Sequence, residues 1–420
     1  MILISENKKK LKGNCILKFG EVVVKSTFTL YYFPKVINIE IPFSLSALTC
    51  YGYGEFIGNL KFSKKIIRCS KIAFSSVIDK KVIFLILDDL YINGNVPNTI
   101  YEANLIGVYS GNTEFNFENL KVSIQECKNR IRIRRFCNDY GNVLEGNILK
   151  IRSLVNESVN IDRYKELTNE ICVLYSLMSG KIITFNRCET YSVSKLIPSK
   201  INKTSLWRIK SYSNGSKSQC VSIHEFGNTL EILLPNFHSL SFEDKKCYYT
   251  VIDYLNCSAR YLEEEVLNIA QAWEIMADHF SHKNIELSDE IKLLKTKLKT
   301  TIKEWKKENN IESTDFISNR VINSLSWDTV IKKIENLIIA ENLDRVKLKV
   351  DFKKLIEIRN SIVHTGRFKV VGEEDNTMSI INSSVLALQV LILSKLGYTG
   401  EIIFQENLIW NSKEISFFKS

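Results

Sequence analysis

The chain has 420 residues, of which 45% are hydrophobic, so it is long enough to bury two or three hydrophobic cores. No stretch approaches the roughly 18–20 apolar residues of a membrane span, which argues against a membrane-spanning protein. The apolar part of the N-terminus is too short for a secretory signal, and the ten cysteines form no Cys-x-x-Cys pair. We therefore expect a cytoplasmic protein with reduced, mostly buried thiols, without a zinc site and without a membrane partner.

The net charge of +10 is distributed unevenly along the chain. Lysine, arginine, aspartate and glutamate sum to −2 over residues 251–420, which leaves +12 for residues 1–250. We expect any polyanion to be bound mainly by the basic N-terminal portion. The alternative is a lysine-rich and asparagine-rich composition that reflects genome bias.

Residues 1 to about 145 are predicted to form β-strands. Turn residues at 51–54, 93–95 and 111–112 separate short runs that are apolar or alternate in polarity. These runs are Val22–Val24, Ile37–Ile41, Val82–Leu87, Asn104–Tyr109 and Arg130–Phe136. The pattern is typical of an antiparallel sheet, sandwich or barrel.

A helix is predicted over residues 161–180, because apolar residues recur there at helical spacing and Gly180 is a suitable stop. The recurring residues are Leu167, Ile171, Leu174 and Leu177. Residues 181–222 return to short strands and a loop rich in serine and lysine at 211–218.

From about residue 250 onward the apolar residues recur at helical spacing. The predicted helices are 247–281, 287–308, 314–325, 328–341, 346–365 and 377–396. The tail, Glu401–Phe418, is predicted to add one or two strands. The fold class is therefore α+β. We divide the chain into a β-rich domain at 1–245, a helical bundle at 246–400 and a strand-like tail at 401–420.

Arg359-Asn360-Ser361-Ile362-Val363-His364 is the motif with the clearest chemistry. It lies on a predicted helix, and Gly366 suits the position just after the helix end, so His364 lies in the last turn. Asn360 and His364 are spaced i, i+4 and share a face, while Arg359 lies about 100° around the helix from Asn360.

These residue types are the parts needed to cleave an RNA phosphodiester without a metal. A histidine can accept a proton from a ribose 2′-hydroxyl or protonate the leaving 5′-oxygen. An arginine can hold the phosphate and stabilise the charge that develops on its oxygens, and Asn360 can orient either group. The alternative is a structural one, in which His364 complements the helix dipole and Arg359 is a surface residue beside it.

The motif resembles the Arg-Asn-x-x-x-His signature of HEPN domains, helical bundles found in prokaryotic toxin and phage-defence ribonucleases. Residues 258–280 (SARYLEEEVLNIAQAWEIMADHF) are similar to the opening helix of that family, "IEIRNSIVHTG" to its catalytic helix and "SSVLALQVLILSKLGYTG" to its closing helix. With the weaker similarity of "GVYSGNTEFNF" and "NEICVLYSLMSGKIITFNR", the chain resembles the ApeA-like group, which has a β-rich domain before the HEPN domain.

The resemblance implies a metal-independent endoribonuclease of abortive-infection defence that leaves a 2′,3′-cyclic phosphate. It implies catalytic roles for Arg359, Asn360 and His364 in a site shared by two chains, and it implies no cofactor. Glu274 matches an acidic position of the ApeA-like group and is a candidate supporting residue; the alternative is a solvated helix residue. RNA, including tRNA or another structured RNA, a second copy of the chain and a phage-derived trigger are the implied partners.

Three basic patches are candidates for RNA binding, each with a plain solvated surface as the alternative. Arg130, Arg132 and Arg134 share one face of a predicted strand. Lys292, Lys295 and Lys299 lie off the apolar stripe of the helix at 287–308. The basic stretch 181–217 carries Tyr191 and Trp207 as candidates for base stacking.

Other motifs predict less. Asp88-Asp89 follows an apolar strand and is better interpreted as a turn than as a metal site, and Gly52 and Gly54 form a lone Gly-x-Gly. His279 and His282 lack a third metal ligand. Two rival functions stay open: a non-catalytic HEPN scaffold that dimerises and binds a nucleic acid or a protein, and a metal-dependent phosphodiesterase.

Overall fold

A computed structural model of the chain describes most residues between Lys9 and Ser420, and the statements below refer to these. The described ranges are 9–32, 38–44, 52–61, 65–87, 90–93, 100–106, 112–126, 147–154, 161–193, 200–207, 219–257, 259–281, 289–309, 330–366, 374–406 and 409–420. The chain divides into two compact units. Unit 1 comprises 1–240, 256–258 and 396–412, and unit 2 comprises 241–255, 259–395 and 413–420.

Unit 1 begins with a closed six-stranded barrel. Its strands are β1 (Lys9–Phe19), β2 (Val22–Tyr32), β3 (Asn38–Pro42), β4 (Tyr53–Leu60), β5 (Ile66–Ile78) and β6 (Lys81–Ile86). They pair antiparallel in the order β4-β1-β2-β3-β6-β5, and β4 also pairs with β5, which closes the barrel. Alternate side chains point inward and fill it, among them Leu17, Leu30, Ile39, Phe56 and Phe84.

The same sheet continues into seven further strands, because β5 also pairs with the strand at Leu90–Asn93. They are β7 (Leu90–Asn93), β8 (Ile100–Ile106), β9 (Thr113–Phe117), β10 (Leu120–Glu126), β11 (Asn147–Ser153), β12 (Thr184–Val193) and β13 (Lys200–Trp207), in the spatial order β7-β13-β12-β8-β11-β10-β9. The β-rich N-terminal region predicted from turn spacing is therefore confirmed.

Two helices pack in unit 1, α1 (Ile161–Ser179) and α2 (Phe226–His238). The Tyr101 hydroxyl on β8 lies 2.7 Å from the Thr168 hydroxyl on α1, and the Tyr101 ring stacks on Tyr164. His238 at the end of α2 contacts the buried Glu170 carboxylate of α1 at 2.7 Å. The helix predicted at 161–180 is confirmed.

Unit 2 is helical, and the predicted α+β class is confirmed for the chain. Its helices are α3 (Phe242–Asn256), α4 (Leu262–Phe280), α5 (Asp289–Glu308), α6 (Val330–Ala340), α7 (Arg345–Leu348), α8 (Phe352–Thr365) and α9 (Glu374–Lys395). Helix α4 packs against α6, α8 and α9. The fully buried Trp273 of α4 contacts the Phe352 ring edge-on and donates its indole N–H to the Ser384 carbonyl of α9 at 3.1 Å.

Two predicted helices are wrong because each is broken in the structure. The helix predicted at 247–281 ends at Asn256, and α4 begins after the extended Tyr261. The Glu264 carboxylate accepts the Arg260 N–H at 2.8 Å, which satisfies a backbone donor just before the helix start. The one predicted at 346–365 is interrupted at Lys349, whose φ of 55° is left-handed. The helix predicted at 314–325 and the strand at Arg130–Phe136 lie outside the described residues.

Helix α2 was missed by the sequence analysis. Its buried Leu230, Leu233, Leu234 and Phe237 recur at helical spacing, but Pro235 lies among them and weakened the signal. The predicted tail strands are present as β14 (Glu401–Glu406) and β15 (Ile409–Glu414), followed by a short 3-10 helix at Ile415–Phe418. The boundary predicted near residue 245 and the separate roles of the domains stay predictions.

Within α9, the stretch Thr377–Lys395 is long and apolar enough to cross a membrane. The expectation that no stretch comes close to such a length is therefore wrong for these 19 residues. Because 67% of the stretch is buried in the folded chain, it also has the character of a core helix, which passes the same test of length and composition.

The turn between β5 and β6 is strained. Asp79 and Lys80 both have positive φ, 49° and 58°, as in a type I′ hairpin turn, where glycine and asparagine are favoured. A lysine at such a position costs about 1 kcal/mol in backbone strain.

We expect Lys80→Gly to raise the free energy of unfolding by about 0.5–1 kcal/mol, since glycine adopts positive φ without steric cost. Urea unfolding of the full chain measures it. Lys25→Gly in the exposed face of β2 is the matched control and should destabilise, because glycine weakens a strand interior. A Lys80→Gly protein less stable than the wild type would show that the turn is not strained.

Candidate active site

Helix α8 positions the predicted motif and is capped at both ends. The Asp351 carboxylate accepts the Lys354 N–H at 3.0 Å, which satisfies one of the free donors of the first turn. At the other end Gly366 has a φ of 73° and donates its N–H to the Ile362 carbonyl at 2.7 Å. The predicted helix end at Gly366 is confirmed, and His364 lies in the last turn.

The apolar stripe of α8 is buried in unit 2 and fixes which side chains face solvent. Phe352, Leu355, Ile358 and Ile362 form this stripe. Asn360 and His364 lie on the opposite, exposed face, as their i, i+4 spacing predicts. Within the described chain His364 makes no hydrogen bond or ion pair, so its imidazole is accessible to a ligand.

Arg359 lies at the boundary between the buried and exposed faces and is held by two side chains. Its Nη2 atom lies 3.2 Å from Oε1 and 3.3 Å from Oε2 of Glu274 on α4, and its Nη1 atom donates to Asn360 Oδ1 at 3.0 Å. The Arg359 and Glu274 side chains are 30% and 16% exposed. The structure therefore brings together Arg359, Asn360 and Glu274, although Glu274 is 85 residues away in sequence.

This arrangement orients the guanidinium without covering it. A guanidinium has five N–H donors, and Glu274 and Asn360 accept from one amino group each. Asn360 directs its carbonyl oxygen to Arg359, so its NH₂ group points away from that contact. One helix thus presents an anchored cation, an amide donor and an imidazole within about one and a half turns.

Lys353 and Glu357 share the exposed face of α8 with Asn360 and His364, and the sequence analysis did not consider them. Their spacing of i, i+4, i+7 and i+11 was the available signal. Val363 is also 55% exposed. The face therefore combines both charge signs with one apolar residue.

Only one of the two patches of candidate RNA-binding lysines and arginines lies within the described residues. Arg130, Arg132 and Arg134 lie outside the described residues. Lys292, Lys295 and Lys299 lie on α5, and the Lys299 side chain is exposed. Two residues of the apolar stripe of α5 are also exposed: Leu294 is 46% and Trp305 50% exposed.

The prediction that Tyr191 stacks on bases is wrong. Tyr191 is buried and donates its hydroxyl to the Glu102 carboxylate at 2.8 Å. Burial, reinforced by that carboxylate, raises the pKa of Tyr191 well above its ordinary range. The burial of Tyr191 could not be predicted, because alternation along β12 does not indicate which face of the sheet is covered.

Of the other weak motifs, the structure explains Gly54 by close packing of two strands. Among the described residues no group of three or more His, Cys, Asp or Glu side chains is placed to hold a metal ion. Asp88, Asp89 and His282 lie outside these residues. A Cβ atom on Gly54 would lie 2.5 Å from the Lys18 carbonyl, so Gly54 permits two strands to approach.

His279 on α4 contacts Asp244 on α3, with Nε2 and Oδ1 2.7 Å apart. Ser241 donates its hydroxyl to the same carboxylate and accepts the Asp244 N–H, which caps α3. Ser241 therefore contacts the aspartate and not the imidazole, so these three residues do not form a nucleophile–base relay. The hydrogen bonds from His279 and then Ser241 lower the pKa of Asp244.

The described cysteines are free thiols, and six of the seven are buried, as expected. Burial raises the pKa of Cys15, Cys220 and Cys247 to about 12. These thiols are therefore protonated and poor nucleophiles at neutral pH.

Protein-family models, curated proteins and solved structures were compared with the chain, and none of them matches it.

Because the folded state lowers the Asp244 pKa, its carboxylate adds stability above the ordinary value of 3.8, and this stability is lost as the pH falls below it. We expect Asp244→Asn to lower the thermal midpoint at pH 6 and to have a smaller effect at pH 3. Thermal unfolding of both proteins across that range measures it. Asp253→Asn, an exposed residue of the same helix, is the control. An equal loss at both pH values would show that the charge of Asp244 has no role.

Proposed function

We propose that the chain is a metal-independent endoribonuclease of the HEPN type, with the helices of unit 2 as its HEPN bundle. The observation that carries the proposal is the exposed end of α8, where Asn360 and His364 face solvent beside an Arg359 anchored by Glu274. Abortive-infection defence against phage is the cellular role that the sequence resemblance favours. The substrate is RNA, because the chemistry requires a 2′-hydroxyl.

In the proposed reaction the 2′-oxygen of a ribose attacks the adjacent phosphorus. His364 takes the 2′-hydroxyl proton as the P–O2′ bond forms, and the P–O5′ bond breaks. The products are a 2′,3′-cyclic phosphate and a 5′-hydroxyl, whose proton comes from a second acid. Arg359 stabilises the negative charge that develops on the non-bridging oxygens, and the Asn360 amide donates to the phosphate or orients the base.

A second copy of the chain would supply the second acid. A single α8 presents one imidazole, whereas the reaction needs one base and one acid on opposite sides of the phosphorus. In a two-fold dimer the exposed faces of two α8 helices, defined by Lys353, Glu357, Asn360, Val363 and His364, would meet. The two histidines would then take the two roles.

Glu274 is assigned a positioning role in this proposal. It contacts Arg359 and has no contact with the reacting atoms, so it acts by holding the guanidinium in one orientation. Because the pair is partly solvated, its attraction is moderate, and an incoming phosphate can share the cation.

We expect His364→Ala and Arg359→Ala each to lower RNA cleavage at least about 100-fold, through the loss of proton transfer or of charge stabilisation. Cleavage is measured on cellular RNA in EDTA, with mapping of the 2′,3′-cyclic ends. His224→Ala, which removes an exposed histidine of unit 1, is the matched control and should cleave as the wild type does.

Two outcomes would overturn the assignment. Variants that cleave as the wild type does, or a wild type that dimerises without cleaving RNA, would make the chain a non-catalytic scaffold. Cleavage abolished by EDTA and restored by a divalent cation would make it a metal-dependent phosphodiesterase.

We expect Glu274→Gln to lower kcat about 10- to 100-fold with little change in KM, because misplacement of a catalytic group affects the transition state most. Single-turnover cleavage and thermal unfolding are measured on the same protein. Glu243→Gln removes an exposed carboxylate from a different helix, α3, and is the control. A loss of activity that only follows a loss of folded protein would give Glu274 a structural role.

A further inference from the structure

A cleft of about 540 Å³ lies against the barrel of unit 1, and its lining includes Phe28 and Ile41 of the hydrophobic core. This volume is within the roughly 300–1,000 Å³ range of small-ligand sites. It is lined mainly by residues of β1, β2 and β3 and by the strained turn between β5 and β6. The cleft is built entirely from residues of unit 1.

Apart from Gly13, Phe28, Ile41 and Pro42, the lining residues are polar, and those on the strands form a regular array. Asn14 on β1 lies opposite Thr27 on β2, and Lys12 lies opposite Thr29. Thr29 in turn lies opposite Glu40 on β3. Because side chains at i and i+2 share one face of a strand, this register places two hydroxyls, an amide and an ammonium group side by side.

Charge in the cleft is predominantly positive. Four lysines line it against two carboxylates, Glu40 and Asp79. Glu40 is already compensated, because it accepts a hydrogen bond from Lys81 Nζ at 3.0 Å. Within the described chain Lys12 and Lys80 make no side-chain hydrogen bond or ion pair, so their ammonium groups are the ones that an incoming anion would meet.

The surrounding barrel has the same bias. Its six strands carry eight lysines or arginines against two glutamates. Such a surface attracts polyanions before any specific contact forms. The hydroxyl and amide groups of the cleft are donors that phosphate oxygens commonly accept from in addition to cations.

The strained turn supplies an independent indication. Lys80 has a φ of 58° where glycine would fit without cost, and its carbonyl accepts the Phe43 N–H at 3.0 Å, which ties the turn to the end of β3. The backbone is thus held in a conformation that lysine adopts reluctantly, and its side chain lines the cleft. Strained residues of this kind concentrate at binding sites.

We infer that this cleft binds the phosphate group of a nucleotide, free or within an RNA strand, through Lys12 and Lys80 with Asn14, Thr27 and Thr29. Hydroxyl, amide and ammonium groups side by side match the oxygens of a phosphate, and competition by an acidic peptide is one outcome of the test. The identification of the strand as RNA rests on the proposed nuclease function, whereas the phosphate chemistry is independent of it.

Binding is tested on the full chain carrying His364→Ala, which keeps RNA intact. Fluorescence anisotropy with a labelled single-stranded RNA, and calorimetry with ATP, separate the two sources of phosphate. Adding Lys12→Gln and Lys80→Gly should weaken binding at least about tenfold and flatten its salt dependence. The pair Lys18→Gln and Lys25→Gln removes the same charge from exposed positions outside the cleft and should change binding less than about twofold.

Cleft-dependent binding of RNA alone supports an RNA strand as the ligand, and cleft-dependent binding of ATP supports a free nucleotide. Equal losses in the two lysine pairs, or no binding of either ligand, would overturn the inference. Competition experiments give a further test. If polyglutamate displaces the bound ligand as well as pyrophosphate does, the inference is also overturned. Thermal unfolding verifies that each variant is folded. Cleavage by the chain without His364→Ala is measured separately, so that failure of the cleft and failure of the nuclease proposal give different results.

Discussion

Burial of the apolar stripe of α8 is the constraint on which the candidate active site depends. Phe352, Leu355 and Ile358 can leave water only on the side of the helix that packs in unit 2, against α4, α6 and α9. Since an α-helix turns 100° per residue, this choice leaves Asn360 and His364 facing solvent. The hydrophobic core therefore determines the exposure of Asn360 and His364, and no polar contact is needed to do so.

Arg359 is the one motif residue that the stripe does not decide, because it lies at the edge between the buried and exposed faces. Its orientation comes from Glu274 on α4 and Asn360 on its own helix. At 30% and 16% exposure the ion pair is partly solvated, so it restricts the guanidinium without the desolvation cost of a fully buried pair. A cation that is anchored and still accessible to water suits recognition of an anion better than a fully buried or a fully exposed cation would.

In unit 1 the buried and exposed faces also separate packing residues from polar ones, with the two-residue period of a strand in place of the helical period. Inward side chains such as Leu17 and Phe84 fill the barrel, and the alternate outward positions, such as Lys12 and Thr29, are left to carry chemistry. The turn at Lys80 is an exception to this pattern. A lysine with positive φ occupies a position where glycine would be less strained. Binding of an anion by the Lys80 side chain would account for a lysine at this position.

The sequence by itself determined the α+β class, the helix that carries the motif, its end at Gly366 and the shared face of Asn360 and His364. These features depend on residues within a few positions of one another, and local periodicity and capping express them directly. Tertiary structure alone decided the breaks at Tyr261 and Lys349, the burial of Tyr191, the pairing of Arg359 with Glu274 and the polar cleft on the barrel. Each of these features depends on residues that are remote in sequence, or on which face of a helix or strand is covered by other elements. The local sequence pattern does not determine which face is covered, and the free energy of burial depends on it.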